Sequence, residues 1–170
     1  RRWHPGVGVG LDEAAGLPRA AWRFYRSDGA VVRVDAGEFT ARRSDELAFI
    51  RELLTALDDR EPALGCFALH EWAMVYRLPP DELRHTQLPL RLGSAGTDAV
   101  VESHSLRCTH IDAYRFFTAS AAARNTFRPR RDTQLAWDQP GCLHAGMDLY
   151  KWAVKLSPAA PSDLVMDCFE

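Results

Sequence analysis

Lysine is nearly missing from this chain: it stands only at Lys151 and Lys155, and arginine supplies the rest of the 21 basic residues. A bias of that kind reflects the base composition of the coding DNA more than chemistry, but it makes the two lysines conspicuous. Long apolar runs are missing too. No stretch reaches the roughly 18 apolar residues of a membrane span, and no apolar segment follows the opening Arg1-Arg2 as a secretory leader would require. Cysteine is sparse, at 66, 108, 142 and 168, and paired CxxC knuckles do not occur. A secreted, disulfide-stapled domain would be shorter and richer in cysteine, so buried free thiols are expected. Gly6-Val7-Gly8-Val9-Gly10 lacks the preceding strand and following helix of a dinucleotide fingerprint. These absences leave a cytoplasmic, non-membrane globular domain with an ordinary charge balance, net −2. The chain has no starting Met and stops at 167–170 in helix-like sequence. It is therefore expected to be a single domain, 1–170, cut from the middle of a longer protein.

The hydrophobic pattern predicts an α+β, mainly helical fold: an N-terminal β-hairpin and one further strand packed with four or five helices. Residues 22–25 and 31–34 flank an Asp28-Gly29 turn. Ser44 is expected to cap a helix whose stripe is Leu47, Ile50, Leu53, Leu54 and Leu57. Pro62 opens an expected helix to about Tyr76, apolar nearly all round and hence buried, with His70 and Glu71 at its centre. A buried Glu71 would have to be paired, protonated or facing a cavity. A polar connector follows at 81–98. Residues 106–117 are expected to be the further strand, with Cys108, His110, Asp112 and Tyr114 on one face. Residues 118–140 are Arg-rich and irregular, 141–156 form a helix, and Pro161-Ser162-Asp163 opens another.

Chemistry is concentrated in three polar stretches: 65–77, 104–118 and 139–152. Glu71, Asp112 and Asp148 each lie close to a histidine, namely His70, His110 and His144. Carboxylates beside imidazoles can orient a base or activate water, and satisfied buried networks are the alternative. Cys108, His110, Cys142 and His144 offer thiolate and imidazole ligands, so zinc or iron is a candidate cofactor, although Cys-x-His is a weak spacing. From Arg107 to Arg131 six arginines meet one acid. Within that stretch Arg124, Arg128, Arg130 and Arg131 could grip phosphates, or simply cap helices. Lys151, between Tyr150 and Trp152, is a candidate amine nucleophile or a partner for Asp148.

Three strings carry a resemblance: Gly65-Cys66-Phe67-Ala68-Leu69-His70-Glu71-Trp72-Ala73-Met74-Val75-Tyr76-Arg77, Arg107-Cys108-Thr109-His110-Ile111-Asp112-Ala113-Tyr114-Arg115-Phe116-Phe117, and Gln139-Pro140-Gly141-Cys142-Leu143-His144-Ala145-Gly146-Met147-Asp148-Leu149-Tyr150-Lys151-Trp152. Together with the opening Arg1-Arg2-Trp3-His4-Pro5-Gly6, they resemble a mainly actinobacterial family named 3-methyladenine DNA glycosylase. The resemblance implies excision of an alkylated purine from double-stranded DNA by base flipping. Trp72, Tyr76 or Trp152 would stack on the cationic base. Asp148, Asp112 or Glu71 would assist hydrolysis, the arginines at 124–131 would hold the backbone, and no cofactor would be required. The alternative from the residues themselves is a metal-dependent or acid–base enzyme that acts on a small molecule through the Cys/His/Asp cluster. A third reading is a non-catalytic nucleic-acid-binding domain.

Overall fold

A computed structural model describes residues 2–84 and 87–170. Arg1 of the opening motif and His85 and Thr86 of the expected connector lie outside the described residues. The fold is α+β and mainly helical, with 47% of residues in helices and one three-stranded antiparallel sheet. Among the described residues no helix is long and apolar enough to cross a membrane. The chain divides into two compact units, one made of residues up to Leu54 together with Gly146–Glu170, the other of Thr55–Ala145.

The first unit is built on the sheet. Strands β1 (Gly10–Leu11), β2 (Tyr25–Asp28) and β3 (Val31–Val34) lie in the order β1-β3-β2. Tyr25 opposes Val34 and Asp28 opposes Val31, so the expected hairpin forms with its first strand shifted three residues along the chain. Its two-residue turn is Gly29-Ala30, and Gly29 takes φ +62°, where a glycine carries no side-chain penalty. Alternation puts Tyr25, Val32 and Val34 into a core with Ala14, against which Leu11, Ala20 and Trp22 pack. Helix α1 (Ala36–Arg42) starts where the Asp35 carboxylate accepts the Glu38 N–H at 2.9 Å. Helix α2 (Ser44–Asp58), in this unit up to Leu54, buries Ile50 and Leu53 as its spacing predicts. Ser44 is its first residue and bonds to Asp45 at 3.3 Å instead of capping. Two later helices complete the unit: α8 (Leu143–Lys155), from Gly146 onward, and α9 (Ser162–Asp167). Phe49 meets Trp152 edge-on at 6.0 Å, and Arg43 donates to the Lys155 carbonyl at the end of α8.

The second unit has short helices and long irregular segments: α3 (His70–Ala73), α4 (Gly93–Glu102), α5 (Ile111–Tyr114), α6 (Ala119–Arg124) and α7 (Gln134–Trp137). Its apolar core is Ala73, Tyr76, Val101, Leu106 and Ala121, with Leu69, Trp72 and Phe117 packed against it. Two sequence expectations fail here. The helix expected over 62–76 is confined to α3, because Leu69 adopts a left-handed backbone, φ +40°, that no α-helix can pass through. Residues 61–69 are therefore not a buried helix, and Leu64 is 82% exposed. The strand expected over 106–117 is absent. Asn125 occupies the position of a strand partner: its side chain accepts the Cys108 N–H at 2.7 Å and donates to the Cys108 carbonyl at 2.9 Å. With those groups satisfied, the chain turns into α5 at Ile111, and Asp112 sits in its first turn. The further strand of the sheet is β1.

Candidate active site

Polar side chains bring residues 60–63 of the second unit to residues 135–141. Arg60 donates to the carbonyls of Leu135, at 2.8 Å, and Asp138. The Gln139 amide oxygen accepts from Ala63 N–H at 2.9 Å and Gly141 N–H at 2.7 Å. A side chain at Gly141 would meet the Ala63 backbone at 2.9 Å, so only glycine allows the two segments to approach this closely. Cys66 N–H donates to the Ala63 carbonyl at 3.3 Å and Cys142 follows Gly141, so the contact draws the two cysteine-bearing segments together.

Cys66 and Cys142 line one cleft of about 350 Å³ with His70, Glu71, Trp72 and His144. Cys66 is partly exposed, while Cys142 is buried. The Cys142 thiol donates a hydrogen bond to Cys66, and that bond is the main reason the Cys66 thiol is lowered from 9.0 to about 6, against the opposing effect of burial. Hydrogen bonds from Thr109 add to the lowering, and its hydroxyl lies 3.8 Å from the sulfur. Cys142, as the donor, is pushed well above its ordinary value. Its sulfur lies 3.9 Å from His144 Nδ1. The three histidines cluster: His70 meets His144 edge-on at 4.6 Å, and His110 stacks on His144 at 5.7 Å with 13° between the ring planes.

Behind His144, His110 is 1% exposed and its Nδ1 donates to Asp138 Oδ1 at 3.1 Å. The other Asp138 oxygen accepts from Gln134 Nε2 at 2.7 Å. A carboxylate held at both oxygens fixes the imidazole's orientation and tautomer. Sequence reasoning missed Asp138. Gln134 and Asp138 are four residues apart, a spacing that pairs side chains on one helical turn, but they lie in a stretch read as irregular. Asn125 and Thr109 were missed as well, and neither carries a sequence signal of its role.

The remaining expected residues fall as follows. Glu71 is exposed at the cleft, contrary to its expected burial, and Trp72 is half-buried there. Asp112 pairs with Arg131 and Arg115. Asp148 belongs to the first unit and pairs with Lys151, as the second reading of that lysine expects. Tyr76 is a core side chain, 1% exposed, donating to Glu102 at 2.9 Å, and Trp152 is buried in the first unit, so neither presents an open ring face for stacking. Arg124 donates to the Glu102 carbonyl at 2.9 Å, and Arg128 to carbonyls at the end of α6. Arg130 pairs with Asp132. Cys108 is buried, its thiol pushed up to about 11 mainly by desolvation, and it donates to the His110 carbonyl. Among the described residues, Cys108, His110, Cys142 and His144 do not bring their ligand atoms to one point. No family model, curated protein or solved structure matches this chain.

Proposed function

We propose that the protein is an acid–base enzyme that acts on a small molecule through a Cys66 thiolate, with His144 and the His110–Asp138 pair handling protons. One observation carries the reading: two thiols and two imidazoles from separate stretches of chain line a single cleft, with a carboxylate-oriented histidine stacked behind it. The hydrogen-bonded order His144, Cys142, Cys66 ends on the sulfur that most readily loses its proton. A thiolate of this kind attacks an electrophilic carbon, and the imidazoles return protons to the leaving group. The cleft volume suits a small substrate.

The test uses p-nitrophenyl acetate and the full chain. The expected result is a burst of about one equivalent of nitrophenolate, with the acetyl group recovered on Cys66 by peptide mass mapping. Cys66→Ser removes the burst, and His144→Ala slows turnover by roughly 10²–10⁴-fold. Acetylation spread over Cys108, Cys168 and lysines, at the rate of free thiol, overturns the reading.

A second reading, the DNA glycosylase implied by the family resemblance, is supported by Glu71 and Trp72 at the same cleft. A carboxylate beside an aromatic face could stabilise the sugar cation and stack on the flipped base. Against it, Arg130 and Arg131 are neutralised by Asp132 and Asp112. Release of 3-methyladenine from methylated duplex DNA, abolished by Glu71→Gln, establishes this reading. No release by the full chain removes it.

A further inference from the structure

We infer that Cys66 and Cys142 form a reactive and resolving thiol pair that reduces organic hydroperoxides. The inference rests on the preceding assignment of Cys66 as the reactive thiolate, and adds a second substrate class and a role for Cys142. The two cysteines line one cleft yet differ in access: Cys66 is partly exposed and Cys142 is 3% exposed. That asymmetry is what a two-step oxidation needs. The oxidant reaches the outer sulfur, and the inner thiol waits within reach of the product. Cys108 and Cys168 lack it: Cys108 is buried with its proton held tightly, and Cys168 follows α9 in the other unit.

The chemistry balances as follows. The Cys66 thiolate attacks the terminal oxygen of the hydroperoxide, the O–O bond breaks, and the departing alkoxide takes a proton to leave as an alcohol. Cys66 is now a sulfenic acid. The Cys142 sulfur attacks it, the S–O bond breaks, and the hydroxide leaves as water with the Cys142 proton. The product is a Cys66–Cys142 disulfide, which a low-molecular-weight thiol reduces back to two thiols by exchange. The rate of the first step follows the thiolate fraction, which the hydrogen bond from Cys142 raises.

The lining points to an organic rather than a hydrogen peroxide. Phe67, Leu69, Trp72 and Leu143 line the same cleft, with Phe67 43% and Leu143 85% exposed. An apolar tail can bury against these side chains while the peroxide group reaches the sulfur.

The test treats the reduced, desalted full chain with one equivalent of cumene hydroperoxide or hydrogen peroxide at pH 7. The expected outcome is one Cys66–Cys142 disulfide per chain by non-reducing peptide mapping, formed at least about tenfold faster with the organic peroxide. Cys142→Ser should stop at a sulfenic acid on Cys66, trapped by dimedone. Oxidation that falls first on Cys168, or a Cys66 that stays reduced, overturns the proposal, and equal rates with both peroxides overturn its substrate class. Iodoacetamide labelling of Cys66 at pH 7 separates the two failures. Slow labelling, as of an ordinary thiol, removes the thiolate on which both readings stand. Fast labelling without a disulfide removes the thiol pair alone.

Discussion

The two units of this protein solve the same problem by opposite means. The first is held by apolar alternation and stripes: Tyr25, Val32 and Val34 from the sheet, Phe24 against Phe39 at 5.0 Å, Ile50 and Leu53 on α2. The second has a modest apolar core and is otherwise tied by side chains that grip backbone: Asn125 on Cys108, Gln139 on Ala63 and Gly141, Arg60 on Leu135 and Asp138. Hydrophobic burial is non-directional, so it stabilises without fixing polar atoms to fractions of an ångström. Hydrogen bonds to backbone are directional and leave costly orphans when broken. The unit that carries thiols and imidazoles in contact is the one fixed by directional bonds.

This contrast breaks if the two kinds of contact respond alike to substitution. Phe39→Ala should have the largest effect, about 3–5 kcal/mol lost in urea denaturation, because a ring 2% exposed leaves a cavity. Phe39→Leu should recover most of that loss. Asn125→Ala should cost about 3 kcal/mol by orphaning the Cys108 N–H and C=O and the Phe127 carbonyl. Here Asn125→Leu should recover nothing, since shape is not what Asn125 contributes. An Asn125→Leu chain as stable as wild type would show that the second unit is also held by packing.

Gly141→Ala sharpens the comparison at smaller cost. The added methyl meets the Ala63 backbone and the Gln139 amide oxygen, each at 2.9 Å, so the two segments must part. Overpacking of this kind costs about 1–3 kcal/mol. The more telling readout is Cys66 itself. If parting the segments separates the thiols, iodoacetamide labelling of Cys66 at pH 7 should slow by roughly tenfold as the hydrogen bond from Cys142 is lost. Unchanged labelling in a destabilised Gly141→Ala chain would mean that the thiol pair does not depend on this approach.

The same division explains what could be read in advance. The hairpin announces itself through apolar runs about a turn, α2 through its apolar stripe, and α8 and α9 through their start and stop residues, and the structure contains them. The α+β, mainly helical class follows from those elements. In the second unit periodicity misleads. Apolar residues at 62–76 look helical, but left-handed Leu69 breaks the run, and the even-numbered polar residues of 106–114 mimic a strand that Asn125 replaces. His70, His110 and His144 were legible as a group because imidazoles near acids are scarce and chemically loaded, and the structure clusters them. Not every acid was legible. Asp112 goes to Arg131 and Arg115, whereas a carboxylate that orients His110 is Asp138. Which of several nearby carboxylates reaches a histidine depends on long-range chain paths, and no local spacing encodes those.

The smallest expected effect separates the units by proton uptake. Cys66 titrates lower in the folded chain, about 6, than its ordinary 9.0. The unfolded chain therefore holds more protons between those values, and stability contributed by this thiolate is fully present above pH 9 and lost as pH falls toward 6. His4, in the first unit, is also lowered from its ordinary 6.5, first by burial and then by the charges of Arg19 and Arg2. Its neutral ring pairs with the Tyr25 hydroxyl at 2.8 Å, and its cost begins only below pH 6.5, where the unfolded chain takes the proton first. Melting temperature measured from pH 5 to 9 should therefore fall in two stages on acidification. Cys66→Ala should flatten the segment between about 6 and 9 and leave the acid segment, and a His4→Phe chain should do the reverse. If Cys66→Ala leaves the upper segment unchanged, Cys66 is an ordinary thiol, and the directional bonds of the second unit stabilise backbone without tuning its chemistry.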